Sequence, residues 1–284
     1  MTESIKKCFN ETNEKNTELK GFLETRRFRI PYRVYGNNPR TLVLINGVQQ
    51  SMGMWRDIVP EFLDYFRVLI FDFPGQGRAE ILHGPTVVSF EEQIEVLYDL
   101  VIATGSYHDL SLISASWGSI ILMSFAERYP EMVNKMILGS FGTRPNPHLR
   151  NLMKEATELI DKKEFSKLSE TIICGFGGNL PEKMKQGIRY QFQNINEKHL
   201  LTLREHIDFV DKIEDITKVI KPENITTKTL LVNGDKDTII DIEDNREFVE
   251  KMPNCEWIIA KDTGHFIVFE NFTLLGIFKN FLVN

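Results

Sequence analysis

Short, uninterrupted apolar runs alternate with amphipathic segments along this chain, and then the alternation stops for almost ninety residues. Residues 41–45, 67–72, 110–113 and 133–138 are brief apolar runs that read as buried strands. Helical patterns lie between them, at residues 55–66, from Ser89 to about Thr104, and at 119–129 before Pro130. Ser89 followed by Glu92 forms a capping box that opens the second of these helices. Strands return at residues 230–232 and 256–259, each followed by a helix, at 242–251 and 272–281. Continuous apolar strands separated by helices demand a parallel sheet covered on both faces and joined by right-handed crossovers. Between the two halves, candidate helices fall at 153–160, 165–173, 184–192 and 200–210. That block is too long for a loop. It reads as a helical cap over the C-terminal edge of the sheet, where open α/β sheets bind ligands. Upstream, residues 22–35 read as a β-hairpin and residues 1–20 as a polar tail without periodicity. The expected division is a tail (1–20), a core (21–140 and 228–284) and a cap (141–227). Gly175, Gly177 and Gly178 would give the cap a flexible hinge.

The junction after the third of these strands is Ser114-Ala115-Ser116-Trp117-Gly118. A serine at a sharp strand-to-helix turn, with small residues two before and two after it, has the form of a nucleophile elbow. The turn is so tight that both flanking positions must be small, and Ser114 and Gly118 are. Serine replaces the usual glycine at the first of them. Taken alone, the motif also fits an ordinary junction in which Ser116 caps the helix.

Composition narrows the chemistry. The chain has 284 residues, 42% hydrophobic and 26% charged, with a formal net charge of −6. These values suit a soluble globular protein and argue against non-specific nucleic-acid binding. The 20 phenylalanines exceed what a sheet core alone requires and suggest an apolar pocket. Cys8, Cys174 and Cys255 show no metal-ligand or disulfide spacing and read as free thiols. Residues 1–20 carry no apolar signal-peptide core, and no run reaches the length of a membrane span, which points to a cytoplasmic protein. No ligand cluster for a metal and no phosphate-binding glycine loop is evident, so catalysis without metal or cofactor is expected.

A serine hydroxyl needs a base. Of the six histidines, His265 lies just past the last strand, in Lys261-Asp262-Thr263-Gly264-His265-Phe266. There it can turn back toward the elbow. His83, His108, His148, His199 and His206 read as helix or surface-loop residues. The base in turn needs a carboxylate to fix its tautomer. Asn233-Gly234-Asp235-Lys236-Asp237 follows the 230–232 strand. Asp237, three residues after the glycine, is the first choice, and Asp235 the second. For either, an ordinary turn carboxylate is the competing reading. A tetrahedral oxyanion needs two N–H donors. The backbone of Trp117 is one candidate. The other is Val48, in the loop Asn46-Gly47-Val48-Gln49 after the first of these strands, where Gly47 permits close approach. Gln49 and Gln50 could add side-chain contacts. Ser, Asp and His then occur in the order expected of one fold.

With these residues placed, the chain resembles the α/β-hydrolase family across residues 22–140 and 228–284. Asp72-Phe73-Pro74-Gly75-Gln76-Gly77 is similar to the family's Asp-x-x-Gly-x-Gly loop. Asn46-Gly47 stands where most members carry His-Gly. Asn-Gly, the Ser-Ala-Ser-Trp-Gly elbow and Asp262-Thr263-Gly264-His265-Phe266 resemble the branch that includes the hydroxyacyl-hydroxyacid synthases of rhamnolipid biosynthesis. The resemblance implies an α/β-hydrolase fold: a mostly parallel central sheet covered by helices, with an inserted helical cap. It implies Ser116, Asp237 and His265 as nucleophile, acid and base. It further implies a small acyl substrate carried on acyl carrier protein or coenzyme A. The resemblance does not extend across the cap.

The leading expectation is therefore a serine-dependent acyl enzyme, an esterase or thioesterase if water resolves the acyl-enzyme and an acyltransferase if an alcohol does. A non-catalytic ligand-binding protein on the same fold, or a carbon–carbon bond hydrolase using the same triad, are the alternatives. Arg144, Arg150, Lys154, Lys162, Lys163, Lys167, Lys183, Lys185 and Arg189 on the cap could steer an acidic carrier protein, although such charges more often mark a solvated helix face.

Overall fold

The computed structural model describes residues 18–284. Its first element is a hairpin of β1 (Glu18–Glu24) and β2 (Phe28–Tyr35). Glu18 to Lys20 are thus paired strand rather than tail, because β1 runs in register along β2 from Glu18 opposite Tyr35. The remainder of the expected tail lies outside the described residues. The hairpin continues into a sheet made of β3 (Thr41–Ile45), β4 (Arg67–Phe71), β5 (Glu80–Ile81), β6 (Leu110–Ala115), β7 (Val133–Gly139), β8 (Lys228–Gly234) and β9 (Cys255–Ala260). The strand order is β1-β2-β4-β3-β6-β7-β8-β9, with β5 beside β2. From β4 to β9 every pairing is parallel, whereas β2 is antiparallel to its neighbours. The buried runs of β3, β6 and β7 are those expected of strands covered on both faces.

Helices α1 (Phe90–Ala103) and α2 (Trp117–Arg128) cover one face with a core that includes Leu97, Ile121 and Phe125. The Ser89–Glu92 capping box is present at the start of α1. The other face is covered by α8 (Ile267–Glu270), α9 (Leu274–Val283) and the segment after β3. That segment departs from the single helix expected over 55–66. It forms two 3-10 turns, Met52–Asp57 and Val59–Phe62. Pro60 lacks an N–H to continue a helix, yet Trp55, Ile58, Val59, Phe62 and Phe66 are all buried, so the apolar spacing served packing. Helix α7 (Arg246–Lys251) follows β8, after a short 3-10 turn.

Between β7 and β8 lie α3 (Pro147–Asp161), α4 (Phe165–Phe176), α5 (Glu182–Gln193) and α6 (Glu197–Lys212). Leu149, Leu152, Met153 and Ala156 fall at i, i+3, i+4 and i+7, and together line one cavity. The insert is thus an amphipathic roof whose apolar face looks inward. Gly175 is not a hinge: it lies within α4, where an added Cβ would meet Leu152 Cδ1 at 2.6 Å. Among the described residues no helix is long and apolar enough to cross a membrane.

Candidate active site

The elbow forms because its residues permit a conformation that few sequences tolerate. Ser116 has φ 52° and ψ −120°, outside the regions that L-residues favour. Its N–H donates to the Gly139 carbonyl at 2.7 Å, which ties the turn to β7. A Cβ on Gly118 would sit 2.5 Å from the Asn46 carbonyl oxygen, so only glycine lets α2 pass under the β3 loop. Ser114 occupies the position usually held by glycine by directing its hydroxyl inward. Its Oγ lies 2.9 Å from Ser119 Oγ and donates to the Ile137 carbonyl at 3.2 Å. The unusual residue is therefore satisfied within the sheet.

His265 and Asp237 meet at the ends of β9 and β8. His265 Nδ1 is 2.7 Å from Asp237 Oδ2, with side chains 4% and 0% exposed. The second carboxylate oxygen of Asp237 accepts the Ile239 N–H at 3.0 Å. Asp235, the second choice, does not reach the imidazole. Its Oδ1 accepts the Thr263 N–H at 3.3 Å and pins the histidine loop. Glu270 holds the same loop from beneath, accepting the N–H groups of Gly264 at 2.8 Å and Phe266 at 3.0 Å. Gly234 is required there, because a Cβ would fall 2.1 Å from the Thr263 carbonyl oxygen. The two loops can pack this closely only around that glycine, and the pairing of His265 with Asp237 depends on it.

Ser116, His265, Val48 and Trp117 all line one cavity of about 490 Å³. No hydrogen bond joins Ser116 to His265 among the described residues; such contacts commonly tighten only when substrate is bound. The N–H groups of Val48 and Trp117 have no intramolecular acceptor among the described residues. That of Trp117 also opens α2, where the helix dipole favours negative charge. Gln49 lies next in the loop with φ 53°, and Gln50 Oε1 accepts the Gly47 N–H at 2.7 Å. Gln50 thus shapes the loop. Asn46 does likewise, donating to the Phe71 carbonyl at 3.0 Å and accepting from Trp55 Nε1 at 2.6 Å. The roof and walls of the cavity are chiefly aliphatic and aromatic, including Leu168, Ile172 and Ile188. Phe176 stands edge-on to the His265 ring at 5.4 Å.

His206 is the residue that the sequence conceals. It is no surface histidine: it lines the same cavity from α6, its ring 4.4 Å from that of Trp117. Burial pushes its pKa down to about 4, so it is neutral near pH 7. A neutral imidazole offers one donor and one acceptor to whatever occupies the cavity. Only its place on an otherwise amphipathic helix could have signalled this. Most of the insert cations that could have steered a partner are paired within the chain. Arg144 bonds Asp215 at 2.9 Å, Arg150 bonds Asp211 at 3.2 Å, and Arg189 bonds Glu170 and Glu182 at 2.6 and 2.7 Å. Lys162 and Lys167 pair along their own segments with Glu158 and Glu164. The solvated-face reading describes them better than a docking patch.

A mostly parallel sheet, a strained serine elbow and a helical insert over the strand ends define an α/β hydrolase. Residues 36–271 match the model of the serine aminopeptidase S33 family, and the chain belongs to that family. The chain is 23% identical over 260 residues to an (R)-3-hydroxydecanoyl-ACP:CoA transacylase of Pseudomonas putida, covering 89% of this chain and 87% of that one. It is 24% identical over 250 residues to a protein of the same name from Ectopseudomonas oleovorans, covering 85% and 83%. Among solved structures, MGS-M2, an alpha/beta hydrolase enzyme from a Medee basin deep-sea metagenome library, superimposes with a TM-score of 0.80 at 20% identity, covering 93% of this chain and 98% of that one.

Proposed function

We propose that this protein is a serine-dependent acyl enzyme that takes a medium-length acyl ester or thioester, 3-hydroxyacyl thioesters foremost, through an acyl-enzyme on Ser116. The observation that carries the reading is one apolar cavity lined by both a strained elbow serine and a histidine whose Nδ1 is held by a fully buried carboxylate. In this reading His265 Nε2 takes the Ser116 proton as Oγ attacks the carbonyl carbon. Asp237 keeps the proton of the imidazole on Nδ1 and stabilises the imidazolium. The oxyanion is met by the N–H groups of Val48 and Trp117. The tetrahedral intermediate collapses, the C–S or C–O bond breaks, and His265 returns the proton to the leaving thiol or alcohol. An acceptor O–H, from water or a hydroxyl compound, then gives its proton to His265 and attacks the acyl carbon; the C–O bond to Ser116 Oγ breaks, and His265 returns the proton to Oγ. No metal or cofactor enters this sequence.

The insert, residues 141–227, acts in this reading as the cap that selects the acyl group. A cavity of about 490 Å³ is within the usual range for a drug-sized ligand. The likeness to transacylases that use 3-hydroxydecanoyl groups supports an acyl chain of that class. The test is product analysis with a 3-hydroxyacyl thioester, alone and with a hydroxylated acceptor. Free acid in both reactions identifies a thioesterase, and a new ester identifies an acyltransferase. Release of thiol that is unchanged in Ser116→Ala would refute the reading.

A further inference from the structure

A second cavity, of about 350 Å³, shares a wall with the first: Gln49, Ser51, Gly53, Gly187 and Gln191 line both. Its lining is more polar. Three guanidinium-bearing residues line it, Arg33 from β2, Arg56 from the 3-10 turn after β3 and Arg78 from the loop after β4. Arg33 is paired with Glu18 at 2.8 Å. Arg56 and Arg78 have no ion-pair partner among the described residues, whereas each arginine of the helical insert has one. The carboxylate at this site, Asp72, is already engaged. It accepts the N–H of Met52 at 2.6 Å and of Arg78 at 2.9 Å, and a Cβ on Gly77 would lie 2.4 Å from its Cγ. Asp72 thus takes the Arg78 backbone N–H in direct contact and feels the Arg78 guanidinium only as a nearby charge, so that side chain forms no direct ion pair among the described residues. The Arg56 and Arg78 side chains are both exposed, so their guanidinium groups are open to a ligand arriving from solvent.

The wall between the cavities is formed by Gln49, Ser51 and Gly53 after β3 and by Gly187 and Gln191 of α5. A long polar arm on a substrate held at Ser116 that left the first cavity across this shared wall would enter the cavity lined by Arg56 and Arg78. Planar guanidinium groups favour phosphate oxygens in two-point contacts. We propose that the second cavity binds the pantetheine phosphate of a phosphopantetheine arm, with Arg56 and Arg78 as its ligands and Arg33 as a flanking charge. Coenzyme A and a carrier protein both present that group. The assignment rests on the acyl-enzyme reading of Ser116.

The experiment compares the wild type with Arg56→Gln, Arg78→Gln and the double variant on one acyl group carried by three donors: coenzyme A, a phosphopantetheinylated acyl carrier protein, and N-acetylcysteamine, which has no phosphate. The expected result is a loss of kcat/KM of at least about tenfold with both phosphate-bearing donors in the double variant, mainly through KM. Turnover of the N-acetylcysteamine thioester stays within about twofold of wild type, which also shows that the variant is folded. Equal loss with all donors, or no loss with any, overturns the assignment. Loss with coenzyme A alone overturns it in favour of the nucleotide phosphates, and loss with the carrier protein alone in favour of carrier-surface charge. If the wild type turns over none of the three, the acyl-enzyme reading has failed first, and the phosphate site falls with it.

Discussion

Asp237 and Asp235 lie two positions apart in one turn, yet their carboxylates face different partners, a ring nitrogen and a backbone N–H. Asp237→Asn should lower kcat on the order of 10⁴-fold by stabilising the wrong imidazole tautomer, while leaving the fold intact. Asp235→Asn should cost far less activity and act through the histidine loop. Steady-state kinetics on one thioester checks both, and a larger loss in Asp235→Asn would reverse the assignment. His206 makes a second residue-scale prediction. Its folded pKa of about 4 lies below the ordinary 6.5, so the unfolded chain takes up its proton first as pH falls. Stability is complete above 6.5 and is lost as pH drops toward 4. Between pH 7 and pH 5 this histidine should account for about 2 kcal/mol of that loss. His206→Phe should remove that part of the pH dependence, as measured by urea unfolding at both pH values. Parallel pH dependence in the two proteins would contradict the assignment.

The elbow shows how local sequence and tertiary crowding jointly specify an element. Its small flanking residues were legible because the turn has no room for others. The reason Ser114 can replace glycine was not, since its hydroxyl is satisfied by Ile137 and Ser119, and Ile137 lies on the next strand. Gly118→Ala would press a methyl group against the Asn46 carbonyl and should destabilise the protein by roughly 3 kcal/mol or more. Thermal unfolding checks this, and an unchanged Tm would mean the β3 loop gives way easily. The core strands were legible because strands buried on both faces must be continuously apolar. Residues 55–66 misled because periodicity reports burial, and Pro60 decides the backbone. Element β5, Glu80–Ile81, is two residues long and carries no pattern to read.

At the scale of the molecule, Ser116, Asp237 and His265 were legible as candidates because each follows a strand of one sheet, and chain order then limits where they can meet. The cavities were not legible. Each is assembled from the roof helices and from loops far apart in sequence, so no local pattern announces its volume, the place of His206 in the first, or the convergence of Arg56 and Arg78 on the second. The roof also makes chain length testable. Ala156 lines the Ser116 cavity from α3, and Ala156→Trp should fill part of it. The ratio of kcat/KM for long over short acyl thioesters should fall roughly tenfold, because each excluded methylene forfeits burial. An unchanged ratio would place the acyl chain elsewhere.

The central claim is that Ser116 carries the acyl group. Intact-protein mass spectrometry after brief incubation with a 3-hydroxyacyl thioester, followed by peptide mapping, tests it most directly. The account predicts one added acyl mass, located on the peptide containing Ser116 and absent from Ser116→Ala. An adduct that persists in Ser116→Ala, or turnover that continues in that variant, would contradict it.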